Sequence, residues 1–309
     1  MPKRILITGE SGFIGKNIVE HLITYNPDKY ELYYPRHKDL DLLDTEKVGE
    51  FIKKNGINII IHSANTGGSR KTNYDSDRND IVAGNLRMFF NLARCMDKME
   101  KMIHFGSGAE YDRRHYTPKM KEEYFGSHIP DDPYGFSKYV ISQYIQNSEK
   151  MVCLRLFGVF GKYEDHEFKF ISNAIVKNLL GLPITINQNV NFDFLYVNDL
   201  VNIVDHFLEH DPEYKDYNAV SGRVIDLISI AKTINLVSDK PSEIIIKKPG
   251  MNVEYSADNK RLLKEIKGIK FTPMDGAIRE LYAHYRSILG KIDRKTIEND
   301  EFINYCRSK

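Results

Sequence analysis

The stretch "RILITGESGFIG" at residues 4–15 decides the fold of this chain. Its first half is a short apolar run, which predicts a buried strand over residues 4–8. Ile14, Ile18 and Leu22 then recur at the spacing of one helix face. A strand that passes through a glycine-rich turn into a helix predicts the first unit of a parallel α/β sheet.

The turn between strand and helix carries Gly9, Gly12 and Gly15. Gly9 permits a tight turn, Gly12 lets a pyrophosphate approach the backbone, and Gly15 lets the helix pack on the sheet. Free N–H groups at the start of the helix, around Phe13 and Ile14, would face the anion. The spacing is one residue longer at the front than the common G-x-G-x-x-G fingerprint, so an ordinary strand–turn–helix is the alternative. Its place directly after the first strand favours a dinucleotide-binding turn.

Strand–helix alternation continues through the first half of the chain. Further strands are predicted over residues 30–34, 58–64, 101–107 and 151–157, and helices over residues 81–96 and 133–146. This pattern predicts an α/β protein with a Rossmann-type doubly wound parallel sheet and a smaller C-terminal substrate-binding lobe. The predicted boundaries are 1–160 for the dinucleotide-binding domain, with return segments near 190–222, and 161–189 with 223–309 for the substrate-binding lobe and its polar tail.

Composition excludes several classes of protein. The net charge of +1 gives no basic field for nucleic acid. The N-terminal apolar run is too short for a signal peptide or a membrane span. Cys95, Cys153 and Cys306 lie far apart, which favours a reducing compartment without a disulfide framework. We therefore expect a cytoplasmic protein that binds neither nucleic acid nor membranes.

The histidines do not have the spacing of metal ligands. His62 and His104 lie in predicted strands, where a structural role is the more common one, and His128 has no partner at a ligand spacing. We therefore predict no metal site.

The segment after the second predicted strand bears on the choice of cofactor. An NAD site has an acidic residue at the end of this strand, where it holds the ribose 2′-hydroxyl. Here Pro35 and Arg36 stand at that position, followed by His37 and Lys38. Cationic groups accept a 2′-phosphate, whereas a solvated basic loop is the alternative. The segment favours NADP(H), with NAD(H) possible.

A tyrosine and a lysine follow one helical turn apart in "YGFSK" at residues 134–138. Alone, Tyr134 and Lys138 could be a core tyrosine and a surface lysine. Ser107, however, ends a predicted strand upstream, at the sheet edge where α/β proteins place their chemistry. A nearby ammonium lowers the pKa of a phenol, so Lys138 is predicted to lower that of Tyr134 and to hold the nicotinamide ribose. Asn85 would support a proton path through Lys138 and water.

These motifs together resemble the extended short-chain dehydrogenase/reductases that act on nucleotide sugars, the NAD-dependent epimerase/dehydratase family. The resemblance runs over nearly the whole chain, through "HSA" (62–64), "GSGAEY" (106–111), "FDFLYVNDL" (192–200) and "YNAVSG" (217–222). Within the family the chain is most similar to the GDP-L-fucose synthases, through "RHKDLDLLD" (36–44) and "ANTGG" (64–68).

The resemblance implies roles for particular residues. Ser107, Tyr134 and Lys138 would be catalytic, and Arg36 would face the 2′-phosphate. The cofactor would also contact Asp41 and Leu42 at the adenine, and Ala64. The implied substrate contacts are Gly67, Gly68, Ser107, Lys169 and Lys177. The family also implies a homodimer formed by the helices over residues 81–98 and 134–149.

The chain departs from the family at several positions. Fucose synthases carry a catalytic cysteine where this chain has Ala109, and the 4,6-dehydratases carry an acidic pair where it has Gly108 and Ala109. Glu110 comes one place later and, at a strand end, is expected to point to the other face. Phe192 replaces the arginine that precedes "DFLYV" in relatives.

The sequence therefore predicts an NADPH-dependent reductase of the C4 keto group of a nucleotide-linked sugar or deoxysugar. The first alternative is a nucleotide-sugar 4-epimerase with tightly bound NAD, because it uses the same three catalytic residues. The second is a catalytically silent dinucleotide-binding sensor or scaffold.

Overall fold

A computed structural model of the chain describes residues 2–67, 80–300 and 303–304. The strands in these residues are β1 Lys3–Thr8, β2 Tyr30–Tyr33, β3 Ile59–His62, β4 Lys101–Ser107, β5 Met151–Leu156, β6 Gly158–Phe160, β7 Ile184–Asn189, β8 Asn191–Tyr196, β9 Asp216–Ala219, β10 Val224–Asp226 and β11 Ile244–Met251. The α-helices are α1 Phe13–Tyr25, α2 Thr45–Asn55, α3 Asp80–Ala93, α4 Pro133–Gln146, α5 Phe170–Leu179, α6 Val197–Glu209, α7 Leu227–Val237, α8 Lys260–Glu265, α9 Met274–Ile288 and α10 Arg294–Glu298.

Six parallel strands form the main sheet in the order β2-β1-β3-β4-β5-β9. The apolar runs form these strands because a parallel sheet is buried on both faces. Along β1, Ile5 and Ile7 point to one face, where they pack with α1 and α6, and Leu6 points to the other, where it packs with α2, α3 and α4. We call this sheet with its helices the first lobe. The order reverses between β1 and β3, which is where ligands bind in open α/β sheets.

The second lobe has its own core and two small sheets. One sheet has the order β10-β8-β6 and the other pairs β11 with β7. Apolar side chains of α5, α7 and α9 form the core, which also holds Ile297 of α10 and Ile303. The chain passes between the two lobes more than once. Strand β8 belongs to a sheet of the second lobe, and β9, which follows it, returns to the main sheet.

The predicted α/β class and parallel sheet are confirmed. The five strands and three helices predicted for the first half are present, with ends that agree to within three residues. Residues 191–208, whose pattern predicts a strand followed by a helix, form β8 and α6, whereas α2 and the strands β6, β7, β10 and β11 were not predicted. The polar tail contributes α10, whose Ile297 is only 1% exposed. Among the residues described, none of the helices combines the length and apolar character that crossing a membrane requires.

Candidate active site

A cavity of about 1400 Å³ opens at the carboxyl ends of β1, β3 and β4 and extends into the second lobe. The predicted site residues that line it are Gly9, Gly12, Phe13, Ile14, Gly15, Asp41, Leu42, Ala64, Ser107, Tyr134, Lys138 and Lys169. The cavity therefore joins the glycine turn, the three predicted catalytic residues and the second lobe.

The glycine turn is compact for a steric reason. Gly9 has a φ of +73°, which L side chains rarely adopt. A β-carbon on Gly15 would lie 2.2 Å from the carbonyl oxygen of Gly9, so the first turn of α1 packs against β1 only with glycine there. Helix α1 begins after Gly12, has no acidic residue in its first turn, and presents N–H groups without intrahelical partners to the cavity. A diphosphate would be stabilised by these groups.

The segment after β2 borders the other side of this turn. Pro35 and His37 line the cavity, and Arg36 between them is exposed. The carbonyl oxygen of Arg36 accepts hydrogen bonds from the N–H groups of Asp39 (2.8 Å) and Leu40 (3.0 Å), so its backbone is fixed in a turn. Within the described residues its guanidinium has no hydrogen bond or ion pair, and it is available to an anion at the cavity edge.

The loop after β3 is tied to the helices that carry the site. The Asn85 side-chain amide accepts a hydrogen bond from Thr66 N at 2.7 Å and donates to Thr66 O at 2.9 Å and to Ser137 Oγ at 3.1 Å. Asn85 therefore connects this loop to α4, and with both amide N–H groups engaged its oxygen is the part left for the predicted proton path. Gly67 lies next to Thr66 but outside the cavity wall, and Gly68 lies outside the described residues.

Ser107, Tyr134 and Lys138 converge at the end of β4. Helix α4 begins there because Asp132 caps it, accepting a hydrogen bond from Gly135 N at 2.8 Å. A side-chain hydrogen bond joins Ser107 to Tyr134. The Lys138 Nζ atom donates to the carbonyl oxygen of Phe105 at 2.8 Å and lies 5.9 Å from the centroid of the Tyr134 ring.

The charge states of these groups are set by burial. Burial raises the pKa of Tyr134 to about 12, although the hydrogen bond with Ser107 and the charge of Arg113 lower it. The predicted lowering of this pKa is therefore wrong, because the loss of solvation outweighs the hydrogen bond with Ser107 and the charge of Arg113. Burial lowers the pKa of Lys138 to about 8, against the opposing charge of Glu110. At neutral pH the site holds a protonated phenol beside a largely charged amine.

Glu110 does not point to the other face as a strand residue would. Strand β4 ends at Ser107, and Gly108–Tyr111 form a 3-10 turn with Ser107 as its N-cap. The Glu110 carboxylate accepts a hydrogen bond from Ser107 N at 2.8 Å and another from Arg155 Nε at 2.6 Å. Glu110 is fully buried beneath the catalytic turn.

An aromatic wall covers the position of Gly108. A β-carbon on Gly108 would lie 2.5 Å from the hydroxyl of Tyr255 and 2.8 Å from the Phe157 ring. The Tyr116 hydroxyl donates to the Gly108 carbonyl oxygen at 2.7 Å and is also hydrogen-bonded to Tyr255. The Phe192 ring centroid lies 5.6 Å from that of Tyr255. Aromatic side chains thus occupy the space where an acidic side chain at Gly108 would stand.

The two lysines predicted for the substrate differ in position. Lys169 is the exposed N-cap of α5 and lines the cavity. Lys177 is 2% exposed and lies away from the cavity, where it donates to Thr185 and forms an ion pair with Asp300 at 2.7 Å. The prediction that Lys177 meets a substrate phosphate is wrong, because its charge is already paired in the second lobe.

His62 and His104 lie side by side beneath the site, with ring centroids 5.3 Å apart. His62 Nδ1 is hydrogen-bonded to Thr8 Oγ1 at 2.8 Å. Burial lowers the pKa of His62 to about 3 and lowers that of His104 well below its usual value. Both rings are therefore neutral parts of the core.

The described geometry agrees with a comparison against protein families. The profile of the NAD dependent epimerase/dehydratase family matches residues 5–219. This range includes the glycine turn, Ser107, Tyr134, Lys138 and β9, and it spans more than half of the chain.

Curated relatives and solved structures extend the comparison. The chain is 26% identical to a dTDP-4-dehydro-6-deoxyglucose reductase of Escherichia coli over 273 residues, 79% of this chain and 85% of the relative. It is 25% identical to an ADP-L-glycero-D-manno-heptose-6-epimerase of Brachyspira hyodysenteriae over 265 residues, 75% of this chain and 80% of the relative. A GDP-L-fucose synthetase of Naegleria fowleri, solved with NADP bound, has the same fold: the TM-score is 0.78 and the identity 18%, over 93% of this chain and 94% of that one.

Proposed function

The chain belongs to the NAD dependent epimerase/dehydratase family, whose relatives modify nucleotide sugars, and we propose that it is an NADPH-dependent reductase of the C4 keto group of a nucleotide-linked sugar or deoxysugar. One observation carries the proposal. The Tyr134 hydroxyl, hydrogen-bonded to Ser107 and adjacent to Lys138, lies in the same cavity as the glycine turn. The similarity to the E. coli dTDP-4-dehydro-6-deoxyglucose reductase supports it.

The residues of the glycine turn fit a dinucleotide. The diphosphate would lie on the N–H groups of Phe13, Ile14 and Gly15, where a β-carbon on Gly15 would close the turn. Arg36 would bind the 2′-phosphate of NADP(H) with its exposed guanidinium, and no carboxylate stands at that position to prefer NAD(H). When bound, the nicotinamide supplies the hydride that the reduction requires.

The adenosine half would contact the segment after β2 and the loop after β3. Asp41 and Leu42 would border the adenine, and Ala64 would lie against the diphosphate, since its backbone packs within 2.8 Å of the position of a β-carbon on Gly9. Lys138 would hold the nicotinamide ribose with the N–H donors that its bond to Phe105 leaves free.

The three catalytic residues would divide the proton chemistry. Ser107 would donate a hydrogen bond to the keto oxygen, because its own oxygen already accepts one from Ala109 N at 3.2 Å. Tyr134 would give its proton to that oxygen as negative charge develops there, and its raised pKa keeps the proton available at neutral pH. The Lys138 ammonium would stabilise the phenolate that results.

The second lobe would bind the rest of the substrate. Lys169, at the N-terminus of α5, would contact a phosphate of the nucleotide. The aromatic wall at Tyr255 and Phe157 offers the sugar ring an apolar face. Gly108 and Ala109 supply no acid or base next to the reacting carbon, so neither dehydration nor epimerisation at neighbouring carbons is part of the proposal.

A 4-epimerase is the second candidate, because the same three residues serve it and a relative is a nucleotide-sugar epimerase. It differs in keeping its NAD bound through turnover. A silent sensor or scaffold is the third, and the presence of both Tyr134 and Lys138 in the cavity argues against it.

The test mixes the purified protein with NADPH and a panel of enzymatically generated 4-keto-6-deoxy nucleotide sugars, and follows absorbance of the reduced nicotinamide. We expect substrate-dependent loss with one nucleotide of the panel. NAD that copurifies with the protein, together with interconversion of 4-hydroxy sugars and no NADPH loss, would establish the epimerase. If the protein shows neither reductase nor epimerase activity, the sensor or scaffold is the candidate that remains.

We also propose that the protein works as a cytoplasmic homodimer. Helices α3 and α4 pack on each other, and α4 presents Phe136 and Tyr144, which are 36% and 44% exposed. Light scattering should give twice the mass of the chain, and Phe136→Glu with Tyr144→Glu should give the monomer.

A further inference from the structure

Two opposite charges hold the peptide groups on the two sides of Gly106. The Lys138 Nζ atom donates to the carbonyl oxygen of Phe105, and the Glu110 carboxylate accepts from the N–H group of Ser107, each at 2.8 Å. A β-carbon on Gly106 would lie 2.3 Å from Glu110 Oε1, so the carboxylate lies against this backbone. The two peptide groups are consecutive in the chain, and the charge of Glu110 acts to raise the pKa of Lys138.

The charge of Glu110 is compensated at its other oxygen. Oε2 accepts a hydrogen bond from Arg155 Nε at 2.6 Å, and both side chains are fully buried. Arg155 also pairs with Asp216, which pairs with Arg261 in turn. A buried carboxylate is tolerated when it is paired and hydrogen-bonded in this way. Oε1, on the side of the catalytic turn, is held by a backbone N–H group and not by a cation.

We propose that Glu110 is a positioning residue of the reaction, which fixes the turn that presents Ser107 and supplies the negative charge that faces the Lys138 ammonium. This inference rests on the proposed roles of Ser107, Tyr134 and Lys138.

The first part of this role is geometric. Ser107 and Glu110 form a reciprocal capping box, in which Ser107 Oγ accepts from Ala109 N and Glu110 accepts from Ser107 N. With its oxygen engaged by Ala109, the serine hydroxyl directs its proton outward to the Tyr134 side and the keto oxygen. Loss of the Glu110 acceptor would free the Ser107 N–H group and loosen this orientation.

The second part is electrostatic. The other titratable groups that act on Lys138, or that it acts on, are the Cys153 thiol and the imidazoles of His62 and His104. Burial keeps these three neutral, since it raises the pKa of Cys153 to about 12 and lowers those of both histidines. Among the residues that the structure describes, Glu110 is thus the anion that opposes the effect of burial on Lys138.

Glu110→Gln separates charge from shape, because glutamine keeps an oxygen that accepts from Ser107 N. Removing the anion disfavours the charged amine, so the pKa of Lys138 falls. In wild type, kcat/KM should decline as the pH rises through about 8, where Lys138 loses its proton. In the variant we expect this decline about one pH unit lower, with about fivefold less activity at pH 8 and near wild-type activity at pH 6.

Asp216→Asn is the matched control, because it removes the other buried carboxylate of Arg155 on the side away from Lys138. It should lower stability without moving the decline. A Glu110→Gln variant that loses activity equally at every pH has only lost structure, and it overturns the proposal. An equal shift of the pH of decline in both variants overturns it too. Lys138 would then respond to the net charge of the whole ion-pair cluster and not to Glu110 in particular.

A readout without substrate keeps this test separate from the proposed function. Nuclear magnetic resonance of protein labelled with ¹⁵N-lysine follows the Lys138 Nζ titration directly, with Lys138→Met assigning the signal. A lower titration midpoint in Glu110→Gln supports the inference even if none of the sugars is reduced. An unchanged midpoint overturns it, even if the reductase assay succeeds.

Discussion

The hydroxyl of Tyr255 lies 2.5 Å from the point where a β-carbon on Gly108 would stand. A residue of the second lobe thereby fills the space next to the catalytic serine, and the two positions constrain each other's size. The Tyr255 hydroxyl leaves no room for a side chain at position 108. The backbone angle does not require glycine there, because Gly108 has no positive φ.

Gly108→Ala should therefore destabilise the protein by about 1–3 kcal/mol, the usual cost of overpacking. Adding Tyr255→Phe removes the oxygen that the new methyl group meets, so the double variant should recover part of the loss. Recovery stays partial because the Phe157 ring lies 2.8 Å from the same point. Urea denaturation of the two single variants and the double variant measures the coupling. Strictly additive losses would show that the two residues do not compete for space.

Tyr134→Phe should reduce the single-turnover rate of NADPH oxidation by about 10²–10⁴, because it removes the proposed proton donor. Its affinity for NADPH, measured by fluorescence, should stay within about twofold. Tyr25→Phe alters a 73% exposed tyrosine outside the cavity and should change neither quantity. A Tyr134→Phe enzyme with wild-type turnover would refute the proposed mechanism.

Arg36→Ala should weaken NADPH binding about 10–100-fold, which is the range for a charge-assisted hydrogen bond. NADH lacks the 2′-phosphate, so its dissociation constant should barely move. Lys38→Ala removes another exposed cation of the same loop and provides the control. If Arg36→Ala weakened the binding of NADPH and NADH equally, the loop would shape the adenosine site without contacting the 2′-phosphate.

Lys169→Ala and Lys177→Ala should separate binding from stability. Lys169 lines the cavity with an exposed side chain, so its loss should raise KM and leave the free energy of unfolding unchanged. Lys177 is buried against Asp300, so its loss should lower the free energy of unfolding by about 1–3 kcal/mol and leave KM unchanged. The opposite pattern, a KM effect at Lys177 alone, would restore the original prediction for that residue.

Stability should fall as the pH drops below about 6.5. The folded-state pKa of His62 is lowered to about 3 and that of His104 lies well below its usual value, whereas in the unfolded chain both bind a proton near pH 6.5. The unfolded state therefore holds more protons between these limits, and each histidine contributes a slope of about 1.4 kcal/mol per pH unit. Urea denaturation from pH 7.5 to 5 measures it.

His104→Leu should remove the part of that slope that His104 contributes. His37→Gln, which changes an exposed histidine, should leave the slope as it is. An unchanged slope in His104→Leu would mean that its ring takes up a proton in the folded protein.

Much of the first lobe was predictable because buried parallel strands are continuous apolar runs. Helix α2 also had usable signals: Asp44 caps it, Val48 and Ile52 lie on its buried face, and Gly56 ends it in the left-handed conformation. The strands β6 and β10 have three residues each, and their existence depends on pairing with β8, which no local pattern reveals.

The residues of the site also divide into those with a local sequence signal and those that depend on contacts between distant segments. Ser107, Tyr134 and Lys138 were predictable because each belongs to a local motif at the end of a strand or the start of a helix. Tyr255 and Phe157 reach the site through contacts between distant segments, so only the structure reveals them. Lys177 was misassigned because its partner Asp300 lies in the polar tail, where the sequence shows no sign of the pairing.

The late return of β9 to the main sheet has a consequence for synthesis on the ribosome. Until Asp216–Ala219 emerge, the β5 edge of the nascent sheet is unpaired, and Phe271, which packs in the same core, arrives later still. At about 5–20 residues per second, this exposed edge would persist for several seconds. A chain cut after residue 160 would keep that edge permanently, so we expect it to aggregate and not to serve as a minimal dinucleotide-binding domain.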